Sequence, residues 1–134
     1  MNTWFLIAGL WCLLLLPLHV WGGEYVFNRM PSDSFPKIPN GDGSIAKQEI
    51  RFGWHMISIG FLISAGLLIF FAMNTSLVGV DLTALCIALY FLGYSVVIAI
   101  LPVLALRTYK TLFRSPQWIA CLLVTLLIFG GIYA

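Results

Sequence analysis

Charged side chains are scarce in this sequence. Of its 134 residues, 9% are Asp, Glu, Lys or Arg, whereas an ordinary soluble domain has roughly 25%. A soluble domain with so few charges would have little to cover its surface with, so the composition argues against that class. The charges that do occur are confined to a few short segments, and long stretches of chain carry none.

Acidic side chains are absent from the interior of the long apolar stretches. After Glu49 the only acid in the chain is Asp81, at the start of one such stretch, where it complements a helix N-terminus. Proton-coupled transport needs a carboxylate within the membrane, so a small transporter ranks third among the functions considered. The chain also lacks a Gly-rich phosphate loop and a His-Glu zinc motif, and we do not expect an enzyme.

Cysteine is rare and shows no paired spacing. Cys12, Cys86 and Cys121 lie in three different apolar stretches, and no CxxC motif occurs. Thiol–disulfide chemistry of the membrane-oxidoreductase kind is therefore unsupported, and the cysteines are interpreted as small buried hydrophobes.

Hydrophobic residues make up 61% of the chain and concentrate in four stretches. At 1.5 Å per residue, each stretch reaches, or nearly reaches, the thickness of about 30 Å of a hydrocarbon core. The pattern predicts an all-α integral membrane protein, a four-helix transmembrane bundle. We expect a single transmembrane domain over 1–134, with spans at about 3–22, 51–73, 81–106 and 116–134 and a polar loop at 23–50. A cleaved signal peptide begins with a basic n-region, which the first stretch lacks. We therefore expect the first stretch to be retained as a transmembrane helix.

The basic residues predict the orientation. All seven lie in the two loops that would share one side of the membrane, namely Arg29, Lys37, Lys47, Arg51, Arg107, Lys110 and Arg114. By the positive-inside rule, loops 23–50 and 107–115 are cytoplasmic, and the N-terminus and C-terminus lie outside. Trp21, Trp54 and Trp118 fall at the same side, as interfacial anchors do.

The stretch "RFGWHMISIG" puts cationic and imidazole groups at a span boundary. Lys47, Arg51 and His55 follow one another at spacings of four, so they share a helix face. The stripe has two interpretations. The side chains either snorkel towards lipid headgroups, or they form an anion site, supported by Arg107, Lys110 and Arg114, for a lipid headgroup or a carboxylate of a partner protein.

The two histidines of the chain lie at matching depth in consecutive spans. His19 precedes the end of the first span, and His55 follows the start of the second. Facing imidazoles can hold a metal or clamp haem as axial ligands. The alternative is that each histidine is interfacial and hydrogen-bonded to protein groups. No cofactor is expected unless His19 and His55 bind haem or metal.

Two helix faces are candidates for packing or ligand binding. Tyr90 and Tyr94 belong to a polar stripe in the third span and are expected to face the bundle or a partner, through interhelical hydrogen bonds or a quinone or lipid pocket. Gly60 and Ser64 form a small-xxx-small pair that permits close helix contact.

A few positions carry a resemblance to a known group. His19, the "WH" of Trp54 and His55, and the "PQW" of Pro116, Gln117 and Trp118 resemble a group of small uncharacterised bacterial four-span membrane proteins. The resemblance implies a protein of the bacterial inner membrane and implies no activity.

The leading hypothesis is a membrane accessory protein without enzymatic activity. We expect it to bind membrane lipids, and also another membrane protein or a second copy of itself, through the cytoplasmic basic face. We do not expect it to bind nucleic acid. The alternative is a redox protein that holds haem, metal or quinone through His19 and His55.

Overall fold

The chain is helical over nearly all of the part that the structure describes. A computed structural model describes residues 1–36, 43–114 and 116–134, and it describes only the backbone of Leu106, Thr111 and Arg114. The helices are α1 (Thr3–Arg29), α2 (Gly43–Met73), α3 (Val80–Leu106), α4 (Lys110–Arg114) and α5 (Gln117–Tyr133). A single 3-10 turn follows α1 at Ser32–Ser34. The predicted all-α class is confirmed.

Three of these helices are long and apolar enough to cross a membrane. α1 has 27 residues, α2 has 31 and α3 has 27, and each contains a strongly apolar window. Helix α5 is apolar but has 17 residues, which is about 25 Å at 1.5 Å per residue. The chain is therefore an integral membrane protein with three candidate spans, and α5 falls short of the other three in length.

The polar loop predicted at 23–50 is much shorter in the structure. Helix α1 continues through Gly22 and Gly23 to Arg29, and α2 already begins at Gly43. Paired glycines before a charged segment usually mark a turn, which is why the sequence predicted an end near residue 22. Here the extension stays helical because it packs on the first turns of α2, as described below. Lys37 and Asp42 lie outside the described residues.

The first compact unit comprises residues 1–11 and 64–134. Its centre is built from small side chains that let helix backbones approach closely, with fully buried alanines at Ala8, Ala65, Ala72, Ala84 and Ala88. A Cβ on Gly9 would lie 2.7 Å from the Ile69 side chain, so α1 needs glycine where it meets α2. Within this unit Asn2 ties two helices together, because its Nδ2 donates to the Gly131 carbonyl at 2.7 Å.

Helices α3 and α5 also pack against each other in this unit. The buried Thr125 hydroxyl donates to the Ala88 carbonyl at 3.3 Å and to the Cys121 carbonyl at 3.2 Å. In an apolar surrounding a hydroxyl needs such a partner, so the contact fixes the rotation of α5 against α3.

The second compact unit comprises residues 12–63, which are the later part of α1, the 3-10 turn and the first two-thirds of α2. Its buried apolar residues are few, namely Cys12 and Phe27 from α1 and Phe61 from α2. Polar contacts therefore carry much of the pairing between the two helices in this unit, and they form the candidate site.

Large apolar side chains cover the outside of the helices. On α1 the exposed positions recur with helical spacing at Ile7, Leu10, Leu14 and Leu18. Large apolar residues therefore lie outside as well as inside, where Phe5, Leu68 and Phe91 are buried, and such an exterior suits lipid.

Candidate functional site

One face of α2 brings the chemistry-bearing side chains together. Arg51, Trp54, His55 and Ser58 are spaced by three and four residues, so they line the face of α2 that meets α1. On α1 they meet the side chains of His19 and Glu24. We call these six residues the polar cluster: His19, Glu24, Arg51, Trp54, His55 and Ser58.

The Glu24 carboxylate joins the two helices. Arg51 Nε donates to Glu24 Oε1 at 2.8 Å, and Arg51 Nη2 pairs with Glu24 Oε2, so the contact is bidentate. His55 Nε2 lies 2.7 Å from the same Oε1, and an Nε2–H on that ring donates to the carboxylate. Bidentate guanidinium–carboxylate contacts fix geometry as well as charge. The Glu24 side chain is 26% exposed, so water screens the pair in part.

This contact changes the interpretation of Arg51 and His55. The sequence suggested that the two residues bind an anion from a lipid or from a partner protein. In the structure the anion that they contact is a carboxylate of the same chain, 27 positions before Arg51. Arg51 is paired with Glu24, and whether its exposed part also reaches lipid headgroups stays a prediction.

The His19 ring contacts two residues of the polar cluster, and the His19 carbonyl accepts a hydrogen bond from one of them. Its ring stacks on the Trp54 indole with a centroid distance of 4.2 Å and an interplanar angle of 7°. Its Nδ1 lies 3.0 Å from the Oγ of the buried Ser58. Trp54 Nε1 in turn donates to the His19 carbonyl at 2.9 Å. These contacts satisfy polar groups that would otherwise be costly near hydrocarbon.

The two histidines therefore have separate protein partners. His19 Nδ1 contacts Ser58, whereas His55 Nε2 contacts Glu24. Among the described residues, no group of three or more His, Cys, Asp or Glu side chains could hold a metal ion. Haem ligation needs only two imidazoles, and the use of His19 and His55 for it stays a prediction.

Gly23 permits the close approach of Trp54 to α1. A Cβ at this position would overlap the Trp54 indole ring, whereas a Cβ on the neighbouring Gly22 would meet nothing within 4 Å. One turn later, Phe27 packs edge-on against the same indole at 6.0 Å and 80°. The segment 23–29 stays helical because these side chains lie against α2.

The first loop's other described cations also have partners within the chain. Lys47 Nζ donates to the carbonyl of Met30 at 2.7 Å, and that carbonyl belongs to the free end of α1. The Arg29 guanidinium lies over the Tyr25 ring at 4.0 Å from its centroid. Three cations of this loop, Arg29, Lys47 and Arg51, thus contact groups of the protein itself.

The cations of the second basic loop differ from those of the first. Arg107 and Lys110 are exposed, and within the described part of the chain neither side chain has a hydrogen-bond or ion-pair partner. Arg107 follows α3 in a left-handed conformation, with φ 49° and ψ 35°. Glycine or asparagine is usual at such a helix end, so a bulky arginine there is uncommon. The side chain of Arg114 lies outside the described residues.

Tyr90 and Tyr94 are neighbours on α3, with rings 5.7 Å apart, and Tyr90 also packs edge-on against the buried Phe91. Tyr90 is 44% exposed, while Ala84 and Ala88, on an adjacent face, are buried. Of the two expected neighbours, the bundle and a partner, the exposure of Tyr90 leaves the partner or a ligand pocket, which stays a prediction.

Gly60 and Ser64 differ in burial. Ser64 is buried and Gly60 is half-buried. Gly53, seven residues before Gly60 on α2, has open space around it. The close backbone approach of α2 to α1 in the first unit occurs one residue after Ser64, where the Ala65 carbonyl would lie 3.1 Å from a Cβ on Gly9. Gly9 was not singled out in the sequence, although its placement among large apolar residues was visible there.

Glu24 and Ser58 are residues of the polar cluster that the sequence did not single out. Residue 24 was expected to lie beyond the end of the first span, at 22. Helical spacing gave no signal for Glu24, because it follows His19 by five residues, whereas residues that share a helix face are three or four apart.

Comparison of the chain with family models, with curated proteins and with solved structures finds no match. The function of the protein therefore has to be inferred from the contacts and exposure of the described residues.

Proposed function

We propose that this protein is a small integral membrane protein without enzymatic activity that binds an anionic partner at the membrane surface through its second basic loop. The partner that this chemistry favours is an anionic lipid, and an acidic segment of another membrane protein is the competing partner. The resemblance of His19, Trp54, His55 and the "PQW" segment supports a place in the bacterial inner membrane.

The contrast between the two basic loops carries this proposal. Arg51 is paired with Glu24, and Lys47 donates to a helix-end carbonyl. Arg107 and Lys110 are exposed and have no such partner in the described residues. A cation beside an anionic membrane surface contributes about 1 kcal/mol of attraction, so unpaired cations here favour anionic lipid.

The proposed topology places this loop where anionic lipid headgroups are accessible. We infer that α5 also crosses the membrane, because transmembrane helices range from about 17 to 25 residues and α5 is apolar throughout. Four spans with both basic loops in the cytoplasm leave both termini outside, in agreement with the positive-inside rule.

The test is a lipid titration of the detergent-solubilised protein by native mass spectrometry. Phosphatidylglycerol and phosphatidylcholine with identical acyl chains differ only in the headgroup, which is anionic in the first and zwitterionic, with no net charge, in the second. We expect tighter binding of phosphatidylglycerol, and a rise of about tenfold or more in its Kd in an Arg107→Gln, Lys110→Gln double variant, since two cations supply roughly 2 kcal/mol.

The matched control removes the same charge from the first loop. An Arg29→Gln, Lys47→Gln double variant should keep the preference for phosphatidylglycerol, because both side chains already contact protein groups. Equal Kd values for the two lipids in the wild type would contradict a preference for anionic lipid and favour an acidic protein segment as the partner.

The alternative function uses His19 and His55 as ligands of haem or metal. Their positions on facing segments of α1 and α2 motivate this hypothesis. A Soret band in the purified protein that disappears in His19→Ala and in His55→Ala would replace the lipid-binding proposal by the redox one.

A further inference from the structure

An apolar groove lies beside the unpaired cations. Its lining comes from three helices, with Ala99, Ile100 and Val103 on α3, Leu112 on α4 and Trp118 on α5. The groove has a volume of about 400 Å3, within the range of about 300–1,000 Å3 that ligand sites occupy. All five lining side chains are apolar except for the indole N–H of Trp118.

Hydrogen bonds hold the walls of the groove in place. The Trp118 Nε1 donates to the Leu112 carbonyl at 3.0 Å, which ties α4 to α5. The buried Ser95 Oγ donates to the Trp118 carbonyl at 2.8 Å, which ties α5 to α3. The indole N–H is thereby satisfied by the protein, and its ring is left to present an apolar wall.

Arg107 and Lys110 lie at the α3–α4 end of this groove. Arg107 follows Val103 by four residues, about 6 Å along the helix axis, and Lys110 precedes Leu112 by two. The left-handed backbone at Arg107 ends α3, and Lys110 is the first residue of α4, so the two cations lie at the two ends of the short connection between helices that line the groove. An apolar groove that ends at unpaired cations matches a molecule with an apolar chain and an anionic head.

We propose that this groove binds one acyl chain of an anionic phospholipid, whose headgroup phosphate is bound by Arg107 and Lys110. This inference rests on the proposed function and assigns its site. A phospholipid fits because the chain is a membrane protein, so acyl chains surround it at high concentration. A zwitterionic lipid also carries a phosphate, but its choline cation would repel Arg107 and Lys110, and a free phosphate would leave the groove empty.

The experiment extends the same lipid titration with variants of the groove. Ile100→Trp fills the groove from α3, and Ile59→Trp is the matched control, because Ile100 is 48% exposed and Ile59 is 47% exposed but lies on α2 in the second unit. Val103→Phe is a second filling variant. Circular dichroism and monodispersity establish that each variant is folded before lipid is added.

We expect Ile100→Trp and Val103→Phe to raise the Kd for phosphatidylglycerol about tenfold, as the double variant of Arg107 and Lys110 does, and Ile59→Trp to leave it unchanged. Glycerol phosphate, which carries the headgroup charge without acyl chains, should not displace the bound lipid at comparable concentration.

The possible results separate the inference from the proposed function. Loss of affinity on removal of the cations, without any effect of filling the groove, would overturn the groove and retain the basic loop as a lipid-binding surface. If only the groove-filling variants raise the Kd, and they raise it equally for phosphatidylglycerol and phosphatidylcholine, the claim that the lipid is anionic would be overturned. If neither change affects binding, both the inference and the lipid-binding proposal fail.

Discussion

At the scale of single residues, the molecule stabilises cations near hydrocarbon with partners from its own chain. Glu24 neutralises Arg51, the Met30 carbonyl accepts from Lys47, and the Tyr25 ring lies beneath Arg29. A charged group removed from water is costly unless it is paired and hydrogen-bonded. Glu24 supplies both for Arg51, whereas Lys47 has a hydrogen bond and Arg29 a cation–π contact. A cation that has no such contact is therefore informative, which is why Arg107 and Lys110 carry the functional argument.

Gly23 gives a residue-scale prediction. Gly23→Ala should destabilise the protein, because the added methyl group overlaps the Trp54 indole, and overpacking of this kind costs about 1–3 kcal/mol. The displaced indole would also lose its stacking on His19. Thermal unfolding in detergent, followed by tryptophan fluorescence, measures the effect as a lower Tm.

Gly22→Ala is the matched control for this substitution. It adds the same methyl group to the same helix at a position with open space, and replacing a helical glycine by alanine gains about 0.5–1 kcal/mol. A Tm that is unchanged or higher in Gly22→Ala but lower in Gly23→Ala supports the contact with Trp54. Equal Tm values for the two variants would contradict it.

At the scale of elements, the polar cluster explains why α1 is longer than its apolar run. The apolar run ends near Trp21, yet the helix continues to Arg29, because Gly23, Glu24 and Phe27 each contact α2. The sequence predicted the start of α1, the end of α2 and both ends of α3 to within a residue, because an apolar run has no other way to satisfy its backbone in lipid. The end of α1 was missed. For α2, Ser44 is a plausible N-cap in the sequence, with helix running from it into the span, and the helix begins at Gly43.

The Glu24–Arg51 contact gives an element-scale prediction. Glu24→Gln and Arg51→Gln should each lower Tm by a few degrees, and the double variant should lose less than the sum, because both changes remove one contact. The loss is moderate because both side chains are partly exposed and screened by water. The charge-reversed pair, Glu24→Arg with Arg51→Glu, should recover part of the lost stability.

Glu49→Gln is the control for the change of charge. Glu49 lies on α2 close to Arg51 and is exposed, and it has no partner among the residues that the structure describes. Its replacement should leave Tm unchanged. Strict additivity of the two single variants at positions 24 and 51 would contradict a direct contact between the helices.

At the scale of the whole molecule, three long apolar helices with many exposed large aliphatic side chains indicate an integral membrane protein. Three helices have the length to cross. The role of α5 and the orientation belong to the proposed topology, and they can be measured without knowledge of any ligand.

Cysteine labelling of intact cells tests the topology. In a Cys86→Ser background, where Cys12 and Cys121 are buried, Ser76→Cys and Ala134→Cys should react with a membrane-impermeant maleimide. Ser34→Cys should react only after the cells are permeabilised, since it belongs to the proposed cytoplasmic loop. Protection of Ala134→Cys in intact cells would show that α5 does not cross.

The sequence by itself determined the membrane class, the helices and most of their ends, because hydropathy and the backbone's need for hydrogen bonds are local properties. Through helical spacing it also singled out Arg51 and His55 of α2, both of which contact Glu24 of α1. Only the tertiary structure decided which of them are already paired. Glu24 and Arg51 lie 27 positions apart, and whether a carboxylate meets a guanidinium depends on how far α1 continues and on the glycine that lets Trp54 approach. The side chains from Lys47 to His55 consequently changed from a candidate ligand site into a contact between two helices, whereas Arg107 and Lys110 have no partner among the residues that the structure describes.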